Sequence, residues 1–202
     1  MGGLDLFGED DSGTVFRDVI MLALAGFVAI VILLLPFINP QAKQTDEGGK
    51  APGNVVIEVQ WADGLDADVD LWVQAPGDVP VGYSNKGGAI FNLLRDDLGK
   101  ISDVTDLNYE VSFSRGVPAG EYTINLHMYR GLGVTYPIPV KVVASVKKTP
   151  AAPTKQILVS TAELRREGQE LTVFRFRLDE RGDLVPGSVH SLYRELRAAK
   201  KG

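Results

Sequence analysis

Two sets of carboxylates have the type and spacing to do chemistry. The first is a single residue. Asp18 follows Phe16 and Arg17, and the residues after it, 19–38, carry no charge. An ionisable group at the edge of an apolar helix has two readings. It is a headgroup-level acid, paired with Arg17 or favoured by the positive helix N-terminus. Or it takes up and releases an ion along a transmembrane path, which demands partner helices, because one helix alone forms no channel. The second set lies in "ADGLDADVDLWVQAPG", where Asp63, Asp66, Asp68 and Asp70 crowd together, with Asn85, Asp96, Asp97 and Asp103 further along. Clustered carboxylates suit calcium, a hard cation that takes six to eight oxygen ligands. Asp66, Asp68, Asp70 and Asp97 are the candidate ligands. The same residues also read as turn formers and solvated strand ends. The stretch lacks the glycine and glutamate of an EF-hand loop, which excludes that motif.

Other chemistry has little support. Cysteine is absent, so there is no disulfide framework, thiol nucleophile or thiolate metal site. His127 and His190 are the only histidines, neither beside a nucleophile motif, and no zinc pattern or phosphate-binding glycine loop is present. The expectation is a protein without hydrolytic or transfer chemistry. A paired-carboxylate hydrolase would depend on separations in space that a sequence does not contain. The net charge of −5 makes nucleic acid a poor partner. Trp61, Trp72, Tyr83, Tyr109, Tyr122, Tyr129 and Tyr136 either form a carbohydrate-stacking platform or fill a β core.

The elements that must position these groups follow from periodicity. Residues 15–38 are long and apolar enough to cross a bilayer at about 1.5 Å per residue. The acidic segment before them and the lack of a small-x-small cleavage site exclude a signal peptide, so the span is expected to be retained. Ser12 or Thr14 is the expected helix cap, and Pro36 and Pro40 mark the far end. Charge does not fix the orientation, with Arg17 before the span and Lys43 and Lys50 after it. Asp18, Leu22, Ala25 and Ala29 share one helix face, and Gly26 adjoins the Ala25/Ala29 pair; small residues let helices approach closely in lipid. Residues 39–53 are polar and rich in Gly and Pro and read as a flexible linker. From residue 54, alternating segments separated by turn signals predict an antiparallel β-sandwich: "NVVIEVQW", "VDLWVQAP", "YEVSFSRG", "GEYTINLHMYRG", "PIPVKVVASVKK", "KQILVSTAEL" and "QELTVFRFRLDERGD". The last two either complete the sandwich or form a separate hairpin, and one domain over 54–187 is the favoured reading. Residues 188–202 read as a short C-terminal helix with a basic end. The expected organisation is a tail over 1–14, a single transmembrane helix over 15–38, the linker, the sandwich and the C-terminal helix.

The stretch Phe16-Arg17-Asp18-Val19-Ile20-Met21-Leu22, with Phe27 nine residues after the aspartate, resembles the span of the ExbD, TolR and MotB class of stator subunits. The resemblance covers about 25 residues. It implies an inner-membrane protein with a cytoplasmic N-terminus, one span and a periplasmic domain. It also implies a dimer of this chain inside a pentameric ring of a multi-span ExbB, TolQ or MotA-like partner. Protons, or sodium ions, would pass Asp18 and drive rotation that works on an extracytoplasmic target. The soluble part departs from the periplasmic fold of ExbD and TolR and from the peptidoglycan-binding domain of MotB. It is instead similar to extracytoplasmic β-sandwich modules like YfaP, through Trp61, Asp70-Leu71-Trp72-Val73, Pro76-Gly77, Tyr83-Ser84-Asn85 and Gly120-Glu121-Tyr122. That similarity implies a sandwich with no established reaction. A different reading keeps the span as a passive anchor for a carbohydrate- or protein-binding module.

Overall fold

The computed structural model describes residues 11–38, 53–100, 107–149 and 151–197. The tail before residue 11 and nearly all of the expected linker lie outside these. The chain divides into two compact units, Met1–Glu47 and Gly48–Gly202.

In the first unit the uninterrupted apolar run forms one helix, α1 (Asp11–Ile38). It begins earlier than expected, so Ser12 and Thr14 lie within the helix instead of capping it. At about 1.5 Å per residue its 28 residues reach about 42 Å, longer than the roughly 30 Å of a bilayer's hydrocarbon core. Every side chain from Val15 to Ile32 is exposed, and the helix is long and apolar enough to cross a membrane.

The second unit is an antiparallel sandwich. Its strands are β1 (Val55–Trp61), β2 (Ala67–Gln74), β3 (Phe91–Arg95), β4 (Tyr109–Ser114), β5 (Gly120–Gly131), β6 (Ile138–Val146), β7 (Lys155–Leu164) and β8 (Glu170–Leu178). Five form one sheet in the order β3-β4-β1-β6-β7, and three form the other in the order β2-β5-β8. Alternation decides which side chains face inward. Val55, Ile57 and Val59 of β1 meet Val69, Leu71 and Val73 of β2, with Ile124, Leu126 and Met128 of β5 and Val140, Val142 and Ala144 of β6 completing the core. Tyr122 lies inside it, stacked on Phe176 at 5.2 Å, with its hydroxyl donating to the Pro118 carbonyl at 2.7 Å. The last two strands divide between the sheets, β7 pairing with β6 and β8 with β5, so they complete the sandwich and do not form a hairpin.

Two elements differ from expectation. β3 has no alternating pattern to signal it; it forms because it pairs with β4 at the sheet margin. The carboxylate of Asp78 organises the loop leading to it, accepting the backbone N–H groups of Val79, Ala89, Ile90 and Phe91 at 2.7–3.3 Å. A Cβ on Gly88 would fall 2.5 Å from that carboxylate, which is why the position is glycine. The expected C-terminal helix is not formed among the described residues 188–197, which run extended along the three-stranded sheet. The sheet offers their backbone better partners than helix formation would. His190 and Arg175 exchange both backbone hydrogen bonds. Arg194 N–H donates to Thr172 Oγ1, the Arg194 carbonyl accepts from Asn125, and Leu196 N–H donates to Glu170. Leu196 then buries its side chain almost completely.

Candidate functional site

The bottom of the three-stranded sheet is unusual for a strand so well packed. Val69, Leu71 and Val73 of β2 point into the core, so Asp68, Asp70 and Trp72 point to the sheet's other face. That face would ordinarily meet water. Here it is covered: Asp68 is 4% exposed and Asp70 2%. Trp72 sits under Gly82 and makes an edge contact with Tyr83 at 5.6 Å.

Asp70 faces His127, its cross-strand partner on β5. His127 Nδ1 lies 2.7 Å from Asp70 Oδ2, and the Arg197 guanidinium closes on His127 Nε2. The imidazole thus sits between a carboxylate on one ring nitrogen and a guanidinium on the other. The pair is buried.

A third acid arrives from the other sheet. Glu110 on β4 is fully buried and shares the inward side of its strand with Ser112 and Ser114. It reaches across to the free edge of β2. One carboxylate oxygen accepts the Leu71 N–H at 2.6 Å and the other the Asp97 N–H at 3.2 Å. Asp96, from the segment after β3, supplies a fourth. Its Oδ2 pairs with Lys86 at 2.7 Å, while its Oδ1 is buried without a hydrogen-bond partner. One oxygen from each of Asp70, Asp96 and Glu110 lies within 4.8 Å of the others.

Placing these acids together in a dry site resists their ionisation. Burial pushes the Asp68 carboxyl up to about 7, with the charges of Asp70, Asp96 and Asp97 adding to the effect and Arg130 opposing it. Asp70 is raised by burial, against the hydrogen bond and charge of His127. Glu110 is pushed well above the carboxylate range by burial and by Asp70, against its two backbone N–H bonds. Such a cluster requires protons, bases or a cation to neutralise it.

The expected ligand set of Asp66, Asp68, Asp70 and Asp97 is only partly assembled. Asp66 turns to Arg130 at 3.5 Å and to the Lys100 N–H. Asp97 is occupied by the Gly99 and Tyr109 N–H groups and by Arg95. Asp70 joins the cluster, and Asp68 lies on the same strand face two residues away. Sequence reading missed Glu110. Its one sign was a charged residue in phase with small polar ones in an alternating strand.

The aromatic platform is not assembled either. Trp61, Trp72 and Tyr122 are buried, and of the set only Tyr129 is mostly exposed, packed edge-on to Tyr83. On the five-stranded sheet, a cleft of about 520 Å³ is lined by Glu58, Trp61, Arg95, Asn108 and Tyr109 among others. Burial and the adjacent Glu58 raise the Tyr109 hydroxyl, which donates to that carboxylate at 3.1 Å.

In the helical unit, Asp18 stands exposed in α1, as do Leu22, Ala25, Gly26 and Ala29. A Cβ on Gly26 would meet nothing within 4 Å, so that face is open to another helix. Comparison of the chain with protein-family models, with characterised proteins and with solved structures finds no match.

Proposed function

We propose that this chain is the ion-carrying subunit of an inner-membrane motor of the ExbD, TolR and MotB kind. One observation carries the reading: a carboxylate, Asp18, lies within an exposed apolar helix on the same face as Leu22, Ala25 and Ala29. A carboxylate at the edge of lipid is costly, and small residues on its face favour close helix packing. Two copies of α1 inside a ring of multi-span partners satisfy both demands. A proton, or a sodium ion, taken up from one side neutralises Asp18. That lowers the cost of carrying the carboxylate past an apolar surface. Release on the other side restores the charge, and the two protomers alternate. The β-sandwich, placed outside the membrane, delivers the motion to an envelope target.

The test is Asp18→Asn. It is expected to co-purify with the multi-span partner as well as wild type does. Proton flux through the reconstituted complex in liposomes is expected to disappear. Full flux in the variant overturns the reading. A second reading, a passively anchored binding module, draws on the 520 Å³ cleft with Trp61, Asn108 and Tyr109 on its walls. It expects an unrelated apolar helix in place of residues 15–38 to preserve all function.

A further inference from the structure

Buried acids need a reason to be together. The oxygens of Asp70, Asp96 and Glu110 converge from β2, from the segment after β3 and from β4, elements of both sheets. Their mutual distances are within 4.8 Å. Two oxygens that share a calcium ion at about 2.4 Å are at most about 4.8 Å apart, so this spacing is the one a shared ion permits. The hydrogen bonds around the cluster hold the carboxylates in place without using them up. Glu110 accepts one N–H on each oxygen and Asp70 accepts from His127, and a carboxylate has roughly four acceptor sites.

A second observation points to a missing ligand. Asp68 is 4% exposed, and its Oδ1 is buried with no hydrogen-bond partner. It projects from the same face of β2 as Asp70, two residues along the strand. Asp96 Oδ1 is likewise buried and unpartnered. Leaving a buried polar atom unsatisfied costs about 1–3 kcal/mol, and more for a charged one. One such oxygen on a member of the three-acid cluster and one on the neighbouring Asp68 are a deficit that a cation would relieve.

We infer that Asp70, Asp96 and Glu110, with Asp68 as a further donor, form a binding site for a divalent cation, calcium first among them. The chemistry selects the class. All the converging atoms are hard carboxylate oxygens; the nearby imidazole of His127 is already engaged by Asp70 and Arg197, and there is no thiolate. The ion ties the unpaired edge of β2 to β4 and to the segment after β3. Bound there, it locks the open margin between the two sheets. The site is independent of the ion path at Asp18. It suits a domain that works where calcium is plentiful, with a Kd of about 10⁻⁴ to 10⁻³ M typical of such modules.

The experiment uses the full chain in detergent micelles, stripped with chelator and dialysed. Calcium chloride alone is titrated in, read by calorimetry and by thermal melting of tryptophan emission. Saturable binding of one ion per chain is expected, with Tm rising by about 5–10 °C near a hundredfold excess over Kd. Asp96→Asn is expected to abolish the response. It gives up the pair with the exposed Lys86, a small loss, but relieves the repulsion from Asp70 and Glu110, so in chelator it should melt at least as high as wild type, which the loss of a merely structural acid would not produce. Asp68→Asn provides a second variant, expected to weaken binding about tenfold or more. Asp63→Asn, on an exposed acid outside the cluster, should respond as wild type does. No response to calcium, magnesium or manganese overturns the inference. So does an undiminished response in both Asp96→Asn and Asp68→Asn, which would mean an adventitious ion only.

Discussion

At the scale of single residues, position alone changes what an aspartate does. Asp78 sits in a ring of backbone donors. Partial burial works against its ionised form, but the N–H groups of Ile90, Ala89, Val79 and Phe91 outweigh that and hold its carboxyl below the ordinary range. Its contribution to stability is therefore present at neutral pH and lost only in strong acid. Asp68 has the opposite sign. Its carboxyl is raised from 3.8 to about 7, so the folded chain binds more protons than the unfolded chain across that window. Stability from this group is greatest below the unfolded value and falls as pH rises toward 7. Asp70, Asp96 and Asp97 reinforce this and Arg130 opposes it. Without divalent cations, the Tm of the sandwich is expected to rise when pH is lowered from 8 to 5. Asp68→Asn should flatten that slope, as a melting series in chelator would check. An unchanged slope in the variant would assign the effect to other acids.

At the scale of elements, neighbours decide conformation where local signals are weak. The segment "HSLYRELR" has a helical composition, yet it lies extended because β8 and β5 offer it backbone and side-chain partners. Leu196 anchors its end at 1% exposure and brings Arg197 onto His127. Leu196→Ala removes that anchor and leaves a cavity, a change that costs about 2–3 kcal/mol. Chemical denaturation followed by tryptophan emission is expected to show a matching drop in midpoint. A variant as stable as wild type would mean that the segment is held by its hydrogen bonds alone. β7, at one margin of the five-stranded sheet, shows how an edge is kept from mispairing: Lys155, Gln156, Thr161 and Glu163 place polar side chains along it.

At the scale of the molecule, the chain joins two units with different surfaces. From Val19 to Ile32, α1 exposes apolar side chains all round, while the sandwich hides its apolar residues between sheets. Both tryptophans, Trp61 and Trp72, belong to the sandwich, so their emission reports on that unit alone even in the full chain. A fragment of residues 48–202 is expected to fold by itself and to unfold at the midpoint of the full-length protein to within about 0.5 kcal/mol. A fragment that is unfolded or much weaker would show that the helical unit supports the sandwich.

The sequence by itself determined the features that depend on neighbours along the chain. A run of residues without charge must be a helix if it is to hide its backbone from lipid, and the position of Asp18 within it follows from counting. Period-two alternation gave away the longer strands and the faces they bury, because a half-buried strand has no other way to satisfy both of its sides. Tertiary structure alone decided the rest. Glu110 meets Asp70 and Asp96 because β4 lies against the free edge of β2, a pairing of sheets with no local signature. β3 exists because β4 is there to pair with it, and the last described residues are extended because the sheet claims their hydrogen bonds. Charge is written in the sequence, but whether a charge is solvated, paired or buried beside two others is a property of the folded chain.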